Sequence, residues 1–295
     1  MSHLNAATLP FLELSDEERI VRIRSPRWIG YSRSKEILDK LEDLLSRPKS
    51  HRMDNLLIVG DTNNGKTALI NRFCARYPVQ ENADGDHTLV PVLLIQAPPV
   101  PDEGRFYNAI LDSIFAPYKP NDRVDKKQMQ VLKILKTIGL RMLIIDEIHH
   151  ILAGNLNKQR AFLNVIKFMG NELQIPIVGV GTNEAYRAIQ TDTQLSNRFE
   201  PAVLPRWKFD KEFLRLLVSF ERMLPLKNAS NLQETSLATK LFSLSEGYIG
   251  ELSRLLTAAS VQAILCGAEH IDEKVISATK WVSPSDRKRQ LDRSI

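Results

Sequence analysis

Residues 60–67 read Gly60-Asp61-Thr62-Asn63-Asn64-Gly65-Lys66-Thr67, a glycine-bounded run closed by lysine and threonine. The spacing G-x-x-x-x-G-K-[ST] is what a phosphate-holding backbone requires. Glycines at both ends let the chain curl until several N–H groups face one anion. The helix that opens near Lys66, with Ala68 in its first turn, adds the positive end of its dipole. Lys66 then reaches the outer phosphates of a nucleoside triphosphate, and the Thr67 hydroxyl is suited to Mg²⁺. A glycine-rich turn alone means little. This one lies between an apolar run, Leu56-Leu57-Ile58-Val59, and a helical stretch from Lys66 to Tyr77, the context the motif needs.

A second group of residues complements the first. In Leu143-Ile144-Ile145-Asp146-Glu147 an apolar strand carries two carboxylates out at its C-terminal end, where ligands bind in open α/β sheets. Asp146 is suited to hold Mg²⁺, directly or through water, and Glu147 to polarise the water that attacks a γ-phosphate. His149 and His150 follow at once. As two adjacent histidines without further ligands in the sequence, they are assigned a surface or packing role rather than a metal.

The elements that must position these groups alternate. Apolar runs at Leu89–Ile95, Met142–Ile145, Ile177–Val180 and Ala202–Leu204 join Leu56–Val59 as strands. Helical patterns cover parts of Arg27–Ser46, Gly104–Phe115, Lys126–Ile138 and Gln159–Met169, and Ser15 with Glu18 has the form of a helix cap. Strands alternating with helices imply a parallel sheet covered on both faces, an α/β fold. After about Asp210 the pattern is helical only. The expected organisation is an N-terminal extension (1–26), an α/β P-loop core (27–207), a small α-helical C-terminal lid (208–282) and a basic tail (283–295) without fixed structure.

Several stretches, taken in order, resemble a known family. The phosphate loop, Ile144-Ile145-Asp146-Glu147-Ile148-His149-His150, Ile175-Pro176-Ile177-Val178-Gly179-Val180-Gly181-Thr182-Asn183-Glu184-Ala185 and Leu195-Ser196-Asn197-Arg198-Phe199 look like TniB and TnsC. These are the AAA+ target-selection ATPases of DDE transposons, including CRISPR-associated ones, and MuB is a functional relative. The similarity runs from about Trp28 to Ala263. The phosphate and acidic motifs specify only an AAA+ ATPase, and the other stretches narrow it to the transposition branch.

The resemblance implies ATP and Mg²⁺ as cofactors, slow regulatory hydrolysis, and a homo-oligomer, ring or helical filament, assembled on double-stranded DNA. It implies a DDE transposase and a TniQ-like targeting factor as partners. Thr182 or Asn183 would sense the γ-phosphate. Arg198 resembles the arginine finger that acts on ATP held by a neighbouring subunit, its plain alternative being a surface salt bridge. In Gly247-Tyr248-Ile249-Gly250-Glu251-Leu252-Ser253-Arg254 the chain departs from the AAA+ pattern: Gly250 stands where an arginine is common. Arg254, one turn later, either substitutes for it toward phosphate or covers surface. Trp28 and Tyr31 lie in a segment that packs around adenine in the family, or are ordinary core aromatics.

Charge is mildly basic, with 40 Lys+Arg against 35 Asp+Glu, which permits a polyanion partner and does not establish one. The expected DNA contacts are Arg105, Lys119, Arg123, Lys126 and Lys127, in the segment that faces the pore of initiator-like AAA+ proteins. They would bind phosphates without reading bases, hence sequence-tolerantly. A replication initiator or helicase loader, with the same core, is the alternative reading. No apolar run reaches the roughly 18 residues of a membrane span. The N-terminus lacks a signal-peptide pattern, and two cysteines, Cys74 and Cys266, make no disulfide framework, so the expected location is the cytoplasm.

Overall fold

The computed structural model describes residues 3–83, 85 and 87–294. They divide into two compact units, one formed by Ser32–Thr62 and Lys66–Pro205, the other by the chain up to Tyr31, Asn63–Gly65 and the chain from Arg206 onward.

The first unit is the α/β core. Its elements are α2 (Ser32–Ser46), following α1 (Asp16–Arg24) of the other unit, then β1 (Asn55–Gly60), α3 (Lys66–Cys74), β2 (Val92–Gln96), α4 (Glu103–Ser113), α5 (Val124–Thr137) and β3 (Met142–Asp146). A 3₁₀ turn (Ile148–Ala153), α6 (Leu156–Leu173), β4 (Ile177–Gly181), α7 (Asn183–Gln190), α8 (Thr193–Ser196) and β5 (Phe199–Leu204) complete it. The strands form one parallel sheet in the order β2-β3-β4-β1-β5. Every residue of β1, β3 and β4 is buried, which is why these strands read as continuous apolar runs rather than alternating ones. Pro201 donates no backbone hydrogen bond and sits in the edge strand β5, where none is needed on the outer side.

Two departures from the sequence reading have local causes. The second strand starts at Val92, since Leu89 is occupied by an isolated antiparallel bridge to Gln80. The stretch between β4 and β5 folds as α7 and α8, whose short amphipathic pattern is interrupted by Thr191-Asp192; Asp192 caps α8 by accepting from the Gln194 and Leu195 amides.

Gly179 sets where the acidic strand's exit goes. It pairs with Leu57 of β1, and a Cβ there would lie 2.9 Å from Leu57 Cδ1 and 3.0 Å from Ile148 Cδ1. The bare backbone lets the Ile148 side chain lie on the sheet, and that seats the 3₁₀ turn carrying His149 and His150.

The helical unit holds α1, α9 (Lys211–Glu221), α10 (Thr235–Ser245), α11 (Ile249–Leu265), α12 (Glu273–Ala278) and α13 (Pro284–Ser294). The core was expected to begin at residue 27 with an extension before it. Instead Ile23 and Ile29 are buried in one apolar cluster with Phe213, Leu217, Leu255 and Ile276, so the N-terminal segment belongs to the helices. The expected unstructured tail is also corrected. Ser283 caps α13 by accepting from the Asp286 amide, and Ser285 donates both its N–H and its hydroxyl to Glu246, each at 2.8 Å.

Arg19 ties the N-terminal segment into this unit. Its side chain is fully buried and meets Glu269 through two parallel hydrogen bonds of 2.8 and 2.5 Å, with a third to the Pro225 carbonyl. The hydrogen bonds from Arg19 hold the Glu269 carboxyl below its ordinary value of 4.5. A forked guanidinium–carboxylate pair of this kind is stable while both partners remain.

Arg19→Ala removes the forked partner of the buried Glu269 and leaves it the Lys227 amide at 3.2 Å and the Lys227 ammonium at 3.6 Å. It is expected to lower the unfolding free energy by about 3–5 kcal/mol, measured by denaturant unfolding. Since the folded carboxyl is depressed, its stabilisation is full above pH 4.5 and lost as pH falls through the folded value. The variant should therefore show a flatter acid limb than the parent; parallel limbs would refute the pairing.

Candidate functional site

In the α/β unit, β1 ends at Gly60, β3 at Asp146 and β4 at Gly181. With β4 between β3 and β1, the parallel sheet delivers the loop after β1, the two carboxylates and Thr182 to one edge of the sheet. Lys66, buried at the start of α3, turns its ammonium back to the carbonyls of Gly60 (2.9 Å) and Asp61 (2.8 Å). It makes no ion pair among the described residues. Burial pulls its pKa below the usual lysine value, and the nearby charges of Glu147, Asp146 and Asp61 only partly oppose this. A desolvated ammonium held by neutral carbonyls is a site for an anion.

Thr67 donates its hydroxyl to Asp146 Oδ2 at 3.0 Å. Hydroxyl and carboxylate converge on one point with oxygen donors, the chemistry Mg²⁺ takes, so these residues fit the ion. Glu147 follows in the left-handed region, at φ 55° and ψ 34°, and its amide donates to Asp146 Oδ1 at 2.8 Å. For a residue with a side chain this backbone is unfavourable, and such strain gathers at functional sites. Glu147 Oε2 lies 3.1 Å from His149 Nδ1.

Of the two candidates at the end of β4, Asn183 directs its amide to Asp61 Oδ1 at 3.5 Å. Thr182 Oγ1 is buried and has no hydrogen-bond partner among the described residues. An orphaned hydroxyl at this edge has the free hydrogen-bonding capacity a phosphate sensor requires.

Within the helical unit, Asn63 explains the missing arginine. The Gly250 amide donates to the Asn63 carbonyl at 3.1 Å. A Cβ on Gly250 would fall 1.9 Å from Asn63 Oδ1 and 2.7 Å from Asn63 O. No side chain fits there, so α11 begins with backbone against backbone. Asn63 Nδ2 donates to Glu251 Oε1 at 2.8 Å, and the buried Glu251 also receives Arg254 at 3.2 Å and Arg287. Arg254 and Arg287 lie 5.8 and 5.7 Å from the Trp281 ring centroid. Arg254 is therefore engaged with Glu251 and Trp281. Tyr31 packs edge-on against Trp207 at 4.9 Å, the ordinary core role. Sequence reasoning missed Glu251 and Arg287; the glycine at an arginine position was the signal that pointed to them.

Arg198 precedes β5 and is half-buried. Its guanidinium donates to the Asn171 side-chain oxygen at 2.8 Å and meets no carboxylate among the described residues, which disfavours the salt-bridge alternative. It borders a cavity of about 400 Å³ in the α/β unit, lined also by Lys40, Arg47, Asp54 and Glu200.

The expected DNA contacts divide. Arg105 and Lys119 are exposed. Arg123 and Lys126 are exposed and paired with Asp125 (3.1 Å) and Asp122 (2.9 Å), pairs of little energy that exchange readily. Lys127 is corrected: it is buried at 4% exposure, with its ammonium on the Pro120 carbonyl at 2.6 Å and 5.9 Å from the Tyr118 ring centroid. Its register on α5 turns it inward, so its ammonium is not presented to a phosphate.

The family model described as bacterial TniB protein matches residues 19–209. The chaperone protein ClpB of Aquifex aeolicus is 28% identical over 171 residues, which is 57% of this chain and 15% of that protein, so the chain spans a small part of this relative. Among solved structures, the Aeropyrum pernix ORC2 protein in its ADPNP-ADP complexes superposes with a TM-score of 0.63 at 16% identity, covering 88% of this chain and 70% of that one. The Aeropyrum pernix ORC1 protein in complex with DNA gives 0.60 at 16% identity over 89% and 68%. A RuvB variant of Thermotoga maritima gives 0.54 at 18% identity over 90% and 78%. At these identities the structures establish the fold, that of the AAA+ P-loop ATPases.

Two variants test the geometry. Lys66→Ala removes a desolvated cation, so the nucleotide-free melting temperature should change little. The stabilisation by ATP, about 2.7 kcal/mol at a hundredfold excess over Kd, should vanish in scanning fluorimetry; a parent-like shift would refute the assignment. Gly250→Ala should destabilise the start of α11 by about 1–3 kcal/mol, seen as faster amide exchange there. Gly30→Ala is the control, because its Cβ meets only Trp28 Nε1, at 3.6 Å.

Proposed function

The chain belongs to the bacterial TniB family of AAA+ ATPases, and on that premise we propose that it is an ATP-dependent regulator of DNA transposition. ATP binding assembles copies of the chain on duplex target DNA as a ring or helical filament. The assembly recruits a DDE transposase and a TniQ-like targeting factor, and hydrolysis resets it.

In this reading Lys66 exchanges the carbonyls of Gly60 and Asp61 for the outer phosphates. The loop amides and the α3 N-terminus hold the phosphate chain. Thr67 and Asp146 hold Mg²⁺, which supplies charge neutralisation at the phosphates when bound. Glu147 accepts the proton of the attacking water. Thr182 donates its hydroxyl to the γ-phosphate. The observation that carries assembly is Arg198, a half-buried guanidinium whose partner is a neutral amide. It acts on ATP of a neighbouring copy, a contribution worth several orders of magnitude in comparable NTPases.

DNA contact is supported by the exposed cations around α4 and α5, between β2 and β3, and by the fold neighbour solved with DNA. Arg105, Lys119, Arg123 and Lys126 are assigned to phosphates. The helicase-loader reading shares this core; a helicase partner without any effect on integration would favour it.

Glu147→Gln should keep ATP binding and slow hydrolysis, since an amide does not accept the proton. Arg198→Ala should bind ATP and fail to hydrolyse it. Mixed oligomers of the two should recover part of the activity. Phosphate release by co-assembled mixtures measures this; none recovered would refute action between copies.

Reversing Arg105, Lys119 and Arg123 to glutamate together should weaken duplex binding similarly for unrelated sequences. The slope of log affinity against log salt should become shallower by about one per lost contact. The same reversal at Lys288, Arg289 and Arg293 of α13 tests general basicity, and equal losses from the two triple variants would refute the assignment.

A further inference from the structure

The turn after β3 brings together groups that the adjacent-histidine pattern did not link. Glu147, His149 and His150 each offer a ligand atom, and these atoms all lie within 4.8 Å of one another. A tetrahedral ion with bonds near 2.1 Å needs its ligand atoms roughly 3.4 Å apart, and His149 Nδ1 already stands 3.1 Å from Glu147 Oε2. The remaining spread is within the reach of side-chain rotation.

Two further observations point to an ion. His150 Nδ1 lies 3.3 Å from the Ala97 carbonyl. A carbonyl only accepts, so Nδ1 carries the proton and Nε2 keeps its lone pair. Metal-binding histidines are oriented by such a bond from the other ring nitrogen to a backbone carbonyl. His149 Nδ1, in turn, is a buried atom without a hydrogen-bond partner among the described residues, although the Glu147 carboxylate is near. Its approach to Oε2 lacks hydrogen-bond geometry, so an imidazole nitrogen and a carboxylate oxygen stand side by side at 3.1 Å. A shared divalent cation would bridge such a pair.

We propose that Glu147, His149 and His150 form an inhibitory site for a Zn²⁺-class divalent ion. Two imidazoles and one carboxylate, with water in the fourth position, suit Zn²⁺ or Co²⁺, whereas Mg²⁺ takes oxygen ligands and stays with Thr67 and Asp146. The bound ion occupies the Glu147 oxygen that would take the proton from the attacking water. ATP binding continues, since Lys66, Thr67 and Asp146 are outside the set, and hydrolysis stops. The unfavourable backbone at Glu147 fits a residue held between two alternative partners. The inhibitory effect rests on the catalytic role proposed for Glu147; the metal site does not.

The test uses the full chain with Mg²⁺ in excess. Co²⁺ added to the parent protein should give the intense visible absorption of a tetrahedral ion, and Zn²⁺ should displace it. His149→Ala and His150→Ala, checked for parent-like circular dichroism and melting, should each weaken Co²⁺ binding by at least about tenfold. ATP hydrolysis by the parent should fall with free Zn²⁺ in parallel with Co²⁺ displacement, while retention of ATP is unchanged. His150→Ala should need at least about tenfold more Zn²⁺ for the same loss. No tetrahedral Co²⁺ signal in the parent, or one that both variants keep, overturns the site. A Co²⁺ site with unimpaired hydrolysis overturns the inhibition. Normal turnover by Glu147→Gln separately overturns the catalytic reading, and the Co²⁺ signal still judges the site.

Discussion

The ammonium of Lys66 is taken largely out of water and donates to the carbonyls of Gly60 and Asp61. Burying a cation is unfavourable, and its lowered pKa records that even though the charges of Glu147, Asp146 and Asp61 partly oppose the shift. The rest of the α/β unit tolerates this because an apolar sheet, buried on both faces at β1, β3 and β4, fixes the loop's two ends. An anion relieves the deficit.

The same logic extends along the sheet edge. Thr182 has a buried hydroxyl without a hydrogen-bond partner among the described residues, and Glu147 holds an unfavourable backbone conformation beside His149. Both incomplete interactions lie at the C-terminal ends of neighbouring strands. An orphaned buried hydroxyl is not expected of a region selected for stability alone. Gly179 shapes this edge indirectly: by leaving room for Ile148, it fixes the turn from which both histidines project. The helical unit has its own close contact, where Gly250 meets Asn63 with no space for a side chain. An arginine common in the wider fold is absent there for a steric reason, and Glu251 gathers Asn63, Arg254 and Arg287 instead.

Charges away from these places carry less energy. Lys126 with Asp122 and Arg123 with Asp125 are surface ion pairs, which contribute little. They keep their cations available to a polyanion. The Arg19–Glu269 pair is the opposite case, buried and doubly hydrogen-bonded, so it determines how the N-terminal segment folds. Identical residue types have different consequences because of the solvent around them.

The phosphate loop, the acidic strand end and the alternating order of strands and helices were legible in the sequence, because local spacing and apolar periodicity are properties of contiguous residues. The TniB resemblance was legible for the same reason, and residues 19–209 match that family. What depended on distant contacts was not. Lys127 was counted among the accessible cations until the turn of α5 placed it against Pro120. The tail read as unstructured because its helix is held by Glu246 and Glu251, some forty residues earlier. Residues 1–26 looked like an extension because Glu269, the partner of Arg19, lies 250 positions away. The histidines read as surface or packing residues because the Ala97 carbonyl comes from another strand's end and Glu147 turns back through its left-handed backbone. Sequence spacing determines which chemistry is available; the folded chain decides, through burial and long-range hydrogen bonds, which of those groups meet.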